Sequence, residues 1–270
     1  MAIRVILVGA GNMGFAMLAG WLDAGTLAPA EVAVVEPAAA LRERAATRGV
    51  RTLADASALA GERPELVVLA VKPQVIRDVA AGYRTFAASG SVILSIAAGV
   101  TVASLTAALG GKASIVRCMP NTPAAIGKGM MVTFAGPGVP ADSAAFVARL
   151  LAASGEVASI PDEGLMDAVT AVSGSGPAYI FHFIEALTKA AESVGLEPAT
   201  ATLLARQTVY GAAALAFESG EDAGKLREQV TSPNGTTAAA LKVLMGDDVL
   251  TKLLTEAVIA ARDRGIELGK

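Results

Sequence analysis

Up to Asp162 this chain alternates short, largely apolar runs with helix-like stretches; beyond it the apolar runs stop. The runs are residues 3–8 (with Arg4), 32–35, 66–71, 91–96 (with Ser91 and Ser95) and 115–119 (with Arg117). A strand that is apolar on both faces has to be covered on both, which a parallel sheet flanked by helices achieves. Helices are predicted over 12–24 and 41–48, residues 157–160 close the sheet, and Pro161 marks the exit. Helical periodicity then takes over at 165–172, 177–194, 198–217, 237–245 and 249–268, with breaks at Gly195, Gly220, Pro233 and Gly246. The predicted fold class is α/β: a doubly wound parallel-sheet domain over residues 1–162, followed by an all-helical domain over 163–270.

Hydrophobic residues make up 53% of the 270, which suits a two-sided buried sheet plus a sizeable subunit interface. No uncharged apolar run approaches the roughly 20 residues needed to cross a bilayer. The net charge is −3 with no block of like charge, so neither nucleic acid nor an anionic membrane is an expected partner. Met1-Ala2-Ile3-Arg4 runs straight into the first strand and leaves no room for a signal peptide. Cys118 is the single cysteine, which excludes intrachain disulfides and points to the cytoplasm.

Gly9-Ala10-Gly11-Asn12-Met13-Gly14 follows the first strand and opens the first helix, the context that makes Gly-x-Gly-x-x-Gly a dinucleotide fingerprint of a Rossmann domain. Its glycines allow a tight turn and close approach to a pyrophosphate, which the helix N-terminus attracts. Glu36 lies about twenty residues on, at the end of the second strand, where a carboxylate accepts from ribose hydroxyls and repels a 2′-phosphate. That favours NADH over NADPH. Arg42 and Arg44 on the next helix read as solvated. Three more loops fall at C-terminal strand ends: Ala70-Val71-Lys72-Pro73, Ile96-Ala97-Ala98-Gly99 and Met119-Pro120-Asn121-Thr122-Pro123. Small residues around Ala97 suit a flat nicotinamide ring, Asn121 or Thr122 its carboxamide, and Lys72 a phosphate or ribose hydroxyl. No metal site is expected.

In the helical half, Val172-Ser173-Gly174-Ser175-Gly176-Pro177-Ala178-Tyr179 and Thr231-Ser232-Pro233-Asn234-Gly235-Thr236-Thr237 stand out. They offer backbone N–H groups and hydroxyls rather than strong acids or bases, which fits a small anionic substrate. Taken alone, the second is an ordinary helix-capping turn. His182, the only histidine, sits between Phe181 and Phe183 and reads as a packed structural residue.

Taken together, these motifs resemble the pyrroline-5-carboxylate reductase family along the whole chain, through Gly11-Asn12-Met13-Gly14, Ala70 to Pro73, Ser95 to Val100, Met119 to Pro123, Val172 to Tyr179 and Val230 to Thr237. The resemblance implies reduction of L-1-pyrroline-5-carboxylate to L-proline by NADH or NADPH. It also implies a homodimer built by the C-terminal helices, a possible ring of dimers, and an active site where one subunit's helical domain meets its partner's nucleotide domain. Thr237 is then the residue expected to hydrogen-bond the ring nitrogen. Ser232, Gly235 and Thr236 hold the carboxylate, beside Val230, with Thr170 and Ser175 lining the pocket. Two departures stand out: Asn234 replaces a usual glycine, and Glu36 a usual small or hydroxyl residue. The alternatives are a reductase of another cyclic imine, a 3-hydroxyacid dehydrogenase on the same plan, or a non-catalytic dinucleotide sensor. A dehydrogenase of that type needs a proton-transfer lysine soon after the Gly-rich helix start, yet the first one downstream of Pro177 is Lys189.

Overall fold

The computed structural model describes residues 2–269. In the first part, β1 (Val5–Val8) leads into α1 (Asn12–Asp23), β2 (Val32–Val35), α2 (Ala39–Ala46), β3 (Arg51–Leu53) and β4 (Leu66–Leu69). There follow α3 (Ile76–Ala81), α4 (Arg84–Ala88), β5 (Val92–Ser95), α5 (Val102–Ala108), β6 (Ile115–Met119), β7 (Gly129–Ala135), α6 (Ala141–Ala152) and β8 (Gly155–Ser159). The eight strands form one sheet in the order β3-β2-β1-β4-β5-β6-β7-β8. The chain winds outward from β1 in one direction and then in the other, so the strand order reverses beside β1, above the fingerprint loop.

Alternation along β1 shows why its run is wholly apolar. Val5 and Leu7 join a cluster with Met17, Leu18 and Trp21 of α1 and Leu150 of α6, whereas Ile6 and Val8 join Ile76, Phe86 and Leu105 on the opposite face. All four β1 residues are buried. The sheet departs from the predicted all-parallel arrangement at one place: β7 runs antiparallel to β6, pairing Val116 with Ala135 and Met119 with Val132. A short 3₁₀ turn (Thr122–Ile126) joins them in place of a crossover helix, and this permits only the antiparallel return.

After β8 come α7 (Met166–Val169), a π-helical turn (Thr170–Gly174), α8 (Gly176–Ser193), α9 (Pro198–Ser219), α10 (Ala223–Gln229), α11 (Thr236–Met245) and α12 (Val249–Leu268). Gly220 caps α9 in the left-handed conformation (φ 65°), as a break there should. By contacts the chain resolves into two compact units. One runs to Ser175 and takes back the last turns of α12 from Ala261; the other is Gly176–Ala260. Within the second unit α8 packs on α9. Among its described residues only Ala201 and Ala205 are buried, while Tyr210, Phe217 and Val243 are each at least two-thirds exposed.

Candidate active site

The fingerprint loop is built by absence of side chains. Gly9 has φ 94°, and a Cβ there would lie 2.5 Å from the Ala70 carbonyl oxygen. A Cβ on Gly14 would sink into the Gly9 carbonyl oxygen and lie 3.2 Å from the Ala70 methyl. The loop has no freedom to retreat, because Gly9 N–H donates to Val35 (2.8 Å) and Ala70 N–H to Val8 (2.8 Å). By contrast, a Cβ on Gly11 would meet open space. Gly11 is the N-cap of α1 with no side-chain cap, so the first N–H groups of Asn12, Met13 and Gly14 have no partner within the helix. That cradle fits a pyrophosphate.

Beside it lies a cavity of about 490 Å³ lined by Gly9, Gly11, Glu36, Pro37, Ala70 and Lys72, among others. Glu36 is only 6% exposed. One carboxylate oxygen accepts from Ala10 N–H (2.8 Å) and the other from Ala38 N–H (2.9 Å). The carboxylate thus braces the fingerprint loop against the start of α2 while keeping acceptor lone pairs for a ribose. Arg42 and Arg44 are not the solvated residues the sequence suggested. Arg42 donates to the carbonyls of Glu36 and Pro37 (both 2.9 Å). Arg44 donates to the Ala10 carbonyl (2.6 Å) and lies over the Phe15 ring. Both hold the loop from behind. Lys72 and Pro73 are exposed at the rim.

Across the sheet, Ala97 is buried, and its N–H donates to Ser95 Oγ (3.3 Å). Asn121 is held at both ends: its amide donates to the Ser173 carbonyl (3.0 Å) and its oxygen accepts from Met130 N–H (2.9 Å). It ties β7 to the π-helical turn, whose signature bond runs from Ser175 N–H to the Thr170 carbonyl (2.8 Å). Such turns recur at functional sites. Thr122 alone of this pair keeps its side chain exposed and uncommitted among the described residues. Thr170 and Ser175 line one pocket of about 230 Å³ with Ala98, Gly99, Asp167 and Arg264.

In the helical unit, Asn234 adopts φ 59°, the left-handed turn that a glycine would take most readily. Gly235 N–H donates to the Ser232 carbonyl (3.0 Å), and α11 then opens at Thr236-Thr237. Among the described residues the hydroxyls of Ser232, Thr236 and Thr237 have no hydrogen-bond partner. Val230 is 65% exposed beside them. The turn therefore presents free hydroxyls and free helix N–H groups together. His182 is exposed in the single chain and contacts Glu185 (3.1 Å).

Comparison with known proteins places this geometry. Residues 163–268 match the family model described as "Pyrroline-5-carboxylate reductase dimerisation". Residues 4–99 match one described as "NADP oxidoreductase coenzyme F420-dependent". Pyrroline-5-carboxylate reductase of Pseudomonas aeruginosa is 40% identical over 99% of this chain and 97% of its own. The chain belongs to the pyrroline-5-carboxylate reductase family. The Synechocystis member is 41% identical over the full length of both. Among solved structures, the Coxiella burnetii reductase superposes with a TM-score of 0.93 at 36% identity, covering 100% of both chains. A Plasmodium falciparum pyrroline carboxylate reductase with NADP bound superposes at 0.85 and 27% identity over 99% of this chain and 98% of its own. A nicotinamide cofactor and homo-oligomerisation through the C-terminal helices follow for the family at this level.

No sequence signal pointed to Arg117 and Glu163. They form an ion pair (2.8 Å), with Arg117 buried and Glu163 partly exposed, beside Gly99 and Thr101.

Proposed function

We propose that this chain reduces L-1-pyrroline-5-carboxylate to L-proline, as a homodimer with a preference for NADH. The observation that carries the reading is the Ser232–Thr237 turn: free hydroxyls and open helix N–H groups, with no acid or base, in a chain that matches the family end to end. When bound, the cofactor supplies the hydride. A cyclic imine protonates readily near neutral pH, so the iminium carbon is already electrophilic and no potent general acid is required. What the chain supplies is placement. Thr237 holds the ring nitrogen through its hydroxyl, and Ser232, Gly235 and Thr236 grip the carboxylate at the start of α11. Val230 forms an apolar wall. Thr170 and Ser175 complete the pocket, which we assign to the meeting of one subunit's helical unit with its partner's nucleotide unit. Holding two planar reactants face to face is worth up to about 7–11 kcal/mol.

The preference for NADH rests on Glu36, which sets a negative charge where a 2′-phosphate would approach. Dimerisation is supported by the helical unit itself. A bundle in which, among the described residues, only two alanines are buried has no core until a second copy covers it, the behaviour of obligate dimers. The test is oxidation of NADH and NADPH at 340 nm with 1-pyrroline-5-carboxylate, for the wild type and Thr237→Ala. Rapid turnover that falls about ten- to a hundredfold in Thr237→Ala and recovers in Thr237→Ser supports the reading. Cofactor binding without turnover on this imine would sink it.

A further inference from the structure

We propose that Glu163 is a positioning residue for the reductase reaction, fixing the loop 96–101 on which the nicotinamide ring is placed above; the inference rests on that reading. One Glu163 oxygen accepts two hydrogen bonds, from Val102 N–H (2.7 Å) and from Arg117 Nη1 (2.8 Å). Val102 is the first residue of α5. Thr101 caps Ser104 N–H (3.1 Å) but leaves Val102 N–H to find another partner. Arg117 is 4% exposed in the middle of β6, between Val116 and Cys118, a costly place for a cation. An apolar pair would fill that space as well or better. What an apolar pair would not do is present a fixed, charged acceptor to the end of the loop.

The remaining contacts agree. Ser95 Oγ holds Ala97 N–H at the entrance of the loop. Between the two ends, Gly99 has φ 71° and lies against the last turn of the chain, where a Cβ on Gly269 would come within 2.9 Å of the Gly99 carbonyl oxygen. The loop is hydrogen-bonded at entrance and exit and closely approached in the middle, and Glu163 makes the exit bond. Arg117 acts one step further back by holding Glu163.

The experiment compares wild type with Glu163→Gln, Glu163→Ala and the double variant Arg117→Met/Glu163→Ala, which removes the carboxylate without stranding a buried cation. Turnover with 1-pyrroline-5-carboxylate is measured alongside binding of ADP-ribose, which lacks the nicotinamide ring. Expected are a kcat lowered about ten- to a hundredfold in both Ala-containing variants, because misplacement by about an ångström is enough for that. The KM for the imine and the affinity for ADP-ribose should stay within about threefold. The kinetic isotope effect with 4-deuterated cofactor should rise, and Glu163→Gln, which keeps one oxygen, should recover most of the rate. Hydrogen exchange at the Val102 amide should quicken in the Ala variants whatever the substrate. An unchanged kcat in the double variant, or ADP-ribose affinity falling in step with kcat, overturns the proposal. If the Ala-containing variants do not fold, Val102→Pro, which removes only the N–H donor at a first helical position that tolerates proline, takes their place, and an unchanged kcat and isotope effect there overturn the proposal. Failure of the wild type on this imine removes the functional reading instead, and the exchange measurement then decides the clamp by itself.

Discussion

Replacing Glu36 by glutamine separates the two tasks of its carboxylate. The side chain keeps its size, so packing is not at issue. Glutamine still offers one acceptor oxygen, but its NH₂ faces whichever of the Ala10 and Ala38 N–H groups the oxygen does not serve. At 6% exposure that donor has no ready water, and a buried unsatisfied group costs about 1–3 kcal/mol. For a domain of this size each kcal/mol lowers Tm by roughly 2–4 °C, so the fall should be on the order of 5 °C. The second consequence is functional. Hydrogen bonds to a charged acceptor are worth about 1.5–3 kcal/mol, and losing that acceptor should weaken NADH about ten- to a hundredfold. NADPH, no longer facing a carboxylate, should lose nothing or gain. The assay is the ratio of kcat/KM for NADH to that for NADPH, with melting measured on the same preparations. A lower Tm with an unchanged ratio would mean that Glu36 only braces the loop, and the assigned preference would be wrong.

Gly14→Ala drives a methyl into the Gly9 carbonyl oxygen, and overpacking against a pinned backbone should cost about 1–3 kcal/mol and abolish the Tm increase that NADH gives the wild type. Asn234→Ala forces an ordinary side chain into φ 59° and should cost about 1–2 kcal/mol with a raised KM for the imine, whereas Asn234→Gly should be close to neutral; denaturant melts and kinetics check both. Burial pushes the Cys118 thiol up, so the folded chain keeps a proton that the unfolded chain releases above roughly pH 8.5. Stability should therefore decline as pH rises past that value, and the decline should shrink in Cys118→Ala when denaturation is compared at pH 7.5 and 9.5.

Which parts of this fold could be read from the chain follows from how far apart the decisive residues lie. β1, β2 and β4 are legible because burial on both faces leaves them wholly apolar, and β5 and β6 because each carries a single polar residue, Ser95 and Arg117, in an otherwise apolar run. β3 is a three-residue edge strand beginning at the exposed Arg51, and β7 mixes buried with partly exposed residues in no regular alternation after an opening glycine; neither announces itself. α10, seven residues with four of them polar or charged, has no apolar stripe to detect. The fingerprint is local, so its residue types suffice, whereas the Ser232–Thr237 turn reads locally as a helix cap and takes its role from the family resemblance. Glu36 was legible as an acid at a strand end, but its grip on Ala10 was not, since that bond spans the β1–β2 crossover. Asn121 was legible as an amide at a strand end, but its ties to Ser173 and Met130 were not, since they join distant parts of the chain. The Arg117–Glu163 pair joins residues whose separation no helical or strand period encodes.

The two-segment make-up of the nucleotide unit bears on how such chains can be recombined. Seen through its contacts, Gly176–Ala260 is an insertion: the host resumes at Ala261 and ends against Gly99. A chimaera that exchanged everything after the last strand would sever Asn121 from Ser173 and Arg117 from Glu163, and would bring in a foreign final turn. Two junctions, one after Ser175 and one before Ala261, would carry the donor's helices across and leave both of those ties with the parent.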